Sequence, residues 1–142
     1  MILCHRDSER EQWSVRCAEI VSASANILVP TVPIVPVRML ESWLLLDDQA
    51  IRRAANNRNG TASLSLPKAH EIEGLPDPKA VLFEALRRAS NLPPHRLRRF
   101  REHEARSRVA SFINDVTTLR RLPAFVQFET NFCSAITSIA RA

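Results

Sequence analysis

The fold class is decided by residues 1–37, which read MILCHRDSEREQWSVRCAEIVSASANILVPTVPIVPV. The first four residues form a continuous apolar run, which is typical of a buried strand. Apolar residues then recur at helical spacing between residues 8 and 25, and a β-branched run interrupted by prolines follows over residues 27–37. A strand, a helix and a second strand in this order predict a βαβ unit with parallel strands.

The remainder of the chain predicts helices. Two short helices are expected over residues 39–46 and 49–55, followed by a polar loop with an Asn-Gly turn. Asp77 and Pro78 predict the start of a helix that ends near residue 90. A later helix carries Val109, Phe112, Ile113 and Val116 on its apolar side, and the last one, from Pro123, carries a stripe expected to pack in a core: Phe125, Phe128, Phe132 and Ile136.

These elements predict one α/β domain over residues 1–142. Its first part, residues 1–66, is a small parallel-sheet βαβ core, and residues 67–142 form a helical C-terminal half. Only two glycines occur, so glycine-rich loops of the P-loop or dinucleotide-binding kind are excluded. Three widely spaced cysteines predict reduced, buried thiols in a cytoplasmic protein. No apolar run is long enough to cross a membrane, so no membrane partner is expected.

The first candidate site is Asp7 and Glu9, which follow the first strand. Two carboxylates at the carboxyl end of a strand can hold a hard cation such as Mg²⁺, and the cation can polarise a phosphodiester. The alternative is structural, because Asp7 or Ser8 can cap the first helix and acidic residues favour a helix N-terminus.

A second group of polar residues surrounds the end of the second strand and a later helix start. Arg38 and Glu41 bracket the strand end on the same side as Asp7, so they either join one polar site with it or pair with each other. Lys79 lies just after the start of the helix at Pro78, where it faces solvent or an anion.

The third candidate is a basic tract. Residues 51–142 contain sixteen Lys or Arg and eight Asp or Glu, and six arginines lie between His95 and Arg108. Nucleic-acid contact is expected from Arg96, Arg98, Arg99 and Arg101. The alternative is a solvated helical surface, because Glu102 and Glu104 interrupt the positive charge.

Four segments together resemble a known family: His5 to Asp7, Pro33 to Leu45, Ala54 to Gly60 and Leu75 to Lys79. They are similar to an uncharacterised bacterial TOPRIM-like family that is often paired with ABC-type ATPases in phage-defence loci. The TOPRIM pattern implies Mg²⁺-dependent phosphodiester chemistry, with Asp7 and Glu9 in the place of its Asp-x-Asp pair. Its upstream Glu has no counterpart here, so the resemblance implies a chain shortened at its N-terminus.

Two functions are therefore expected. The first is a metal-dependent, nuclease-like defence component, in which Asp7 and Glu9 bind Mg²⁺, Glu41 is a third acid, and the phosphate contacts are Arg6, Arg38 and Lys79. The second is a non-catalytic module that binds protein or nucleic acid and works with an ATPase partner. Whether the chain is an enzyme is left open by the sequence.

Overall fold

The structure, a computed structural model, describes residues 1–141 and has the expected mixed α/β fold with a helical C-terminal half. Its strands are β1 (Ile2–His5) and β2 (Thr31–Ile34), joined by helix α1 (Trp13–Ala23). The later helices are α2 (Glu41–Leu44), α3 (Asp48–Ala54), α4 (Ala69–Ile72), α5 (Pro78–Ser90), α6 (Pro94–Leu97), α7 (Glu102–Phe112) and α8 (Pro123–Ala140). A 3₁₀ helix, Thr117–Arg121, precedes α8.

The chain divides into two compact units. Unit 1 comprises Met1–Leu40 and Leu119–Ala142, and unit 2 is Glu41–Thr118. These boundaries differ from the predicted division between an α/β part, residues 1–66, and a helical part, residues 67–142. The reason is that the C-terminal α8 packs with the βαβ segment, and α2 and α3 pack with later helices. That residues 1–142 fold as a single domain stays a prediction.

Unit 1 is built on the parallel pair of β1 and β2, with Ile2 opposite Thr31 and His5 opposite Ile34. Helices α1 and α8 both pack against β2, and Val32 is only 2% exposed. The expectation that the first strand is buried is wrong, because Ile2 and Leu3 are 41% and 49% exposed. The sheet in the described part of the chain has two strands, so β1 has a neighbour on one edge only.

Unit 2 has its core between α3, α5 and α7. Ile51 of α3, Leu82 and Leu86 of α5, and Val109 of α7 are all completely buried. The spacing of four residues between Leu82 and Leu86 places both on one helix face, which is the face turned to the core.

Two helix starts are confirmed. The Asp77 carboxylate accepts a hydrogen bond from the Ala80 N–H at 2.9 Å, directly before Pro78. Asp47 caps α3 in the same way, accepting from the Ala50 N–H at 2.9 Å. Each aspartate satisfies a backbone donor that the first helical turn leaves without a partner.

Other expectations need correction. The helix expected to carry Val116 ends at Phe112, and Val116 is exposed. In the apolar stripe of α8, Phe125 is buried but Ile136 is 45% exposed, so only the first turns of this helix contribute to a core. The cysteines are free as expected, but none of the three is fully buried, because Cys4 and Cys17 are partly exposed and Cys133 is exposed. No helix within residues 1–141 is long and apolar enough to cross a membrane.

Candidate functional site

The ends of the two strands lie side by side in unit 1. Beyond β1 the parallel hydrogen bonding continues, because the Ser8 N–H donates to the Pro36 carbonyl at 3.2 Å and the Glu9 N–H to the Arg38 carbonyl at 2.9 Å. Parallel strands present their carboxyl ends at one edge of a sheet, which is where ligands of open α/β sheets bind. The structure therefore brings Asp7 and Glu9 next to Arg38, as the βαβ prediction required.

Asp7 and Ser8 are held by the backbone of the neighbouring strand end. The Leu40 N–H donates to Asp7 Oδ1 at 3.0 Å, and the Arg38 N–H donates to the Ser8 hydroxyl at 2.8 Å. The expectation that Asp7 or Ser8 caps α1 is wrong, because both side chains are used in these long-range bonds and α1 begins only at Trp13. His5 Nε2 lies 3.3 Å from the same Asp7 oxygen.

The backbone at this edge is strained. Glu9 has φ of 56° and Arg38 has φ of 63°, in the left-handed region that glycine occupies without cost. Such strain is concentrated at functional sites in proteins. Glu9 is exposed, so its carboxylate lies on the surface of unit 1.

Arg6, predicted as a phosphate contact, is already engaged with an acid. Its Nη1 lies 2.7 Å from Glu19 Oε2 on α1, and Arg16 Nη1 binds the same carboxylate at 3.0 Å. The hydrogen bond to Glu19 raises the pKa of Arg16. Two guanidinium groups therefore share one carboxylate here, which leaves part of their charge unbalanced.

The predicted Mg²⁺ site is only partly assembled. Among the described residues, no group of three or more His, Cys, Asp and Glu side chains could hold a metal ion. Mg²⁺ often uses one or two protein carboxylates and completes its shell with water, so Asp7 and Glu9 alone are a minimal donor set. Magnesium binding by these two residues stays a prediction.

Glu41, the predicted third acid, is a buried residue of unit 2. It is 3% exposed, and Arg106 Nε donates to its Oε1 at 2.6 Å. Burial of a carboxylate is costly unless it is paired, and Arg106 of α7 supplies the pair. The expected pair between Arg38 and Glu41 joins residues of different units and stays a prediction.

Lys79 lies on the exposed surface of α5, one residue after the N-terminal Pro78. Its Nζ lies 5.7 Å from the centre of the Phe83 ring, within the range of a cation–π interaction. This contact holds the ammonium group near the helix while leaving it accessible to solvent. The predicted role of Lys79 as a phosphate contact stays a prediction.

The arginines of the basic tract differ in their partners. Arg101 Nη1 lies 2.9 Å from Glu104 Oε1, so its charge is balanced. Arg96, Arg98 and Arg99 are exposed, and none of them forms an ion pair within residues 1–141. We call these three residues the arginine patch. They lie on α6 and the turn after it, where the Arg99 N–H donates to the Arg96 carbonyl at 2.9 Å.

Comparison with protein-family models, with curated proteins and with solved structures found no match. Membership of the TOPRIM-like family therefore stays a prediction.

Sequence reasoning overlooked a second group of arginines in unit 2. Arg53 and Arg58 line an open cleft with Asn56 and Phe112, and Arg108 lies beside it through its bond to Asn56. The signal in the sequence was Arg52-Arg53 followed by Asn56-Asn57-Arg58, a basic helix end running into a turn. Only the packing of α7 beside α3 shows that Phe112 joins these residues.

Proposed function

We propose that this chain is a non-catalytic module that binds nucleic acid through the arginine patch, Arg96, Arg98 and Arg99. The observation that supports the proposal is that these three exposed guanidinium groups have no carboxylate partner among the described residues, whereas the adjacent Arg101 has one. An exposed, unpaired guanidinium can bind a phosphate without first losing a salt bridge.

The arrangement favours contact with the phosphate backbone over reading of bases. Helix α6 has four residues, which is too short to lie along a groove and reach successive bases. Phosphate contacts give affinity and strong salt dependence but carry no sequence information. We therefore expect binding that tolerates changes of sequence and weakens steeply with salt.

The test is fluorescence anisotropy of a labelled single-stranded oligonucleotide and a labelled duplex at several salt concentrations. Replacement of Arg96, Arg98 and Arg99 by alanine removes three phosphate contacts. The slope of log Kobs against log salt should fall in magnitude by about 2 for the single strand and by nearly 3 for the duplex.

A matched control replaces two exposed arginines that already have acid partners. Arg88 Nε lies 2.9 Å from Glu84 Oε1, and Arg101 is paired with Glu104. The double alanine variant at these two positions should change the slope much less. Equal effects of the two variants, or no binding by the unaltered chain, would contradict the proposal.

A second function, metal-dependent phosphodiester cleavage, is favoured by one specific observation. Asp7 lies at the carboxyl ends of two adjacent parallel strands, where its carboxylate is held by the Leu40 N–H and is 38% exposed. In this proposal Asp7 and Glu9 hold Mg²⁺, which would polarise a phosphodiester and activate water. Arg6 and Arg38, which belong to the same unit as Asp7, would be the phosphate contacts.

Cleavage is tested separately from binding. Purified protein is incubated with labelled nucleic acid and Mg²⁺ or Mn²⁺, and Asp7→Asn is compared with the unaltered chain. Asparagine keeps an oxygen that accepts from the Leu40 N–H but removes the negative charge, so loss of cleavage with intact folding supports the metal role. Cleavage that persists in Asp7→Asn would refute it.

The resemblance to the TOPRIM-like family also supports a partner, an ABC-type ATPase, and with it a role in bacterial defence. Co-expression with the product of a neighbouring ATPase gene, followed by size-exclusion chromatography, tests this directly. A complex that elutes as one species supports the interaction, and separate elution of the two proteins counts against it.

A further inference from the structure

Unit 2 has an open cleft of about 650 Å³ at the end of α3. Its lining residues are Arg53 in the last turn of α3, Asn56 and Arg58 in the loop that follows, and Phe112 at the end of α7. The volume falls within the range of small-molecule sites in proteins. None of these residues belongs to the arginine patch.

The charge of this cleft is not balanced by acids. Neither Arg53 nor Arg58 forms an ion pair within the part of the chain that the structure describes. Arg53 Nε is buried and has no hydrogen-bond partner there. The neighbouring Arg52 differs, because it pairs with Asp48 and donates to the Ala62 carbonyl at 2.8 Å. Arg52 therefore has a structural role, whereas Arg53 has no acid partner among the described residues.

A third arginine adds positive charge beside the cleft. Arg108 Nη2 donates to the Ala54 carbonyl at 2.7 Å, at the C-terminus of α3, and Nη1 lies 3.4 Å from Asn56 Oδ1. These acceptors are neutral, so they orient the guanidinium without neutralising its charge. Three arginines around one cleft without a carboxylate form a site for an anion that carries more than one charge.

The loop that carries Asn56 and Arg58 is fixed by its own hydrogen bonds. Asn56 adopts φ of 60°, and the Asn57 N–H donates to the Arg52 carbonyl at 2.9 Å. The Asn57 side chain donates to the Ala89 carbonyl of α5 at 2.8 Å. A loop held at both its backbone and a side chain presents its polar groups in one arrangement, which reduces the entropy lost when a ligand binds.

Phe112 gives the cleft an aromatic surface. Phe112 packs against the core of unit 2 and is only partly buried. We propose that this cleft binds a nucleotide, with its phosphate held by Arg53 and Arg58 and its base stacked on Phe112. Arginine and an exposed aromatic ring are the groups on which proteins hold the phosphate and the base of a nucleotide. The inference goes beyond the proposed function and does not depend on it.

Isothermal titration calorimetry at constant ionic strength tests the inference with AMP, inorganic phosphate and adenosine. AMP should bind more tightly than either fragment, because only AMP uses both the arginines and the ring. Arg58→Ala should weaken AMP binding by about 10-fold or more, which corresponds to the loss of one charge-assisted hydrogen bond. Phe112→Leu, which retains an apolar side chain toward the core, should weaken AMP binding but not phosphate binding.

The controls separate this site from the arginine patch and identify the source of the nucleotide. Arg88→Ala, which alters an exposed arginine with an acid partner, should leave AMP binding unchanged, as should alanine at Arg96, Arg98 and Arg99. A 5′-phosphorylated oligonucleotide that competes with AMP identifies a strand end as a ligand, and failure to compete identifies a free nucleotide. The inference is overturned if AMP does not bind, if it binds no better than phosphate, or if Arg58→Ala has no effect.

Discussion

The pair of Glu41 and Arg106 is the strongest test of how unit 2 is stabilised. The two side chains are 65 residues apart in sequence and are joined by a hydrogen bond of 2.6 Å between α2 and α7. The Glu41 side chain is 4% exposed, whereas the Arg106 side chain is 34% exposed. Removing either partner should therefore not cost the same free energy of unfolding.

Arg106→Ala leaves a carboxylate without its partner in a site that water reaches poorly. The loss of one partner of a buried pair costs about 3 to 5 kcal/mol, and we expect about 3 kcal/mol because the space left by the arginine admits some water. Glu41→Gln should lower the free energy of unfolding by less. The amide oxygen still accepts a hydrogen bond and Arg106 is partly hydrated, so we expect about 1 kcal/mol.

Urea unfolding followed by circular dichroism measures these differences. With a slope of about 1.5 kcal/mol/M, the unfolding midpoint of Arg106→Ala should lie about 2 M lower than that of the unaltered chain. Arg101→Ala is the matched control, because its pair with Glu104 has side chains that are 78% and 62% exposed. Exposed pairs contribute at most about 1 kcal/mol, so this midpoint should move little. Equal shifts for Arg106→Ala and Arg101→Ala would refute the argument from burial.

Three further predictions concern local contacts. Asp77→Ala removes the N-cap of α5 and should lower the free energy of unfolding by about 1 kcal/mol, measured by urea unfolding; an unchanged midpoint would show that the cap is dispensable. Native alkylation followed by mass spectrometry should label the exposed Cys133 before Cys17, since burial raises the pKa of Cys17 and lowers its thiolate fraction near neutral pH; the reverse order would contradict this. The hydrogen bond from Arg120 lowers the pKa of Glu129, so an NMR titration should find that pKa below the usual value of a glutamate, and Arg120→Ala should raise it; equal values in both proteins would contradict the bond.

Local signals predicted the starts of α3 and α5 in unit 2. Asp77 and Pro78 lie next to each other in sequence, and their effect on the first turn of α5 needs no distant residue. The cap at Asp47 is equally local. Such elements can be predicted because the groups that stabilise them are three or four residues apart.

The start of α1 could not be predicted in this way. Asp7 and Ser8 are good N-cap residues, but both bind backbone N–H groups about 30 residues away, at Leu40 and Arg38. A side chain that can cap a helix can equally bind a neighbouring strand, and only the fold decides between them. The same reasoning applies to the stripe on α8, because periodicity identifies a face but does not identify what covers it.

In the candidate sites too, contacts between residues close in sequence could be predicted, and contacts between distant residues could not. The pair of Arg101 and Glu104 is three residues apart and could be expected from the sequence, whereas the partner of Glu41 could not. Glu41 was predicted as a site residue because it is an acid near a strand end. Its burial and its bond to Arg106 give it a structural role. That role accounts for a glutamate at this position without a catalytic function.

Net charge is a poor guide to where an anion would bind on this chain. Residues 41–118 contain thirteen Lys or Arg and ten Asp or Glu, which leaves only a small positive excess. Several of these acids are already used in ion pairs, with Arg52, Arg87, Arg88, Arg101 and Arg106. The excess is therefore concentrated on the arginines without acid partners, in the arginine patch and around the cleft at Phe112. Because these two groups share no residue, substitutions in one should leave the other intact, and the two binding activities can be tested independently.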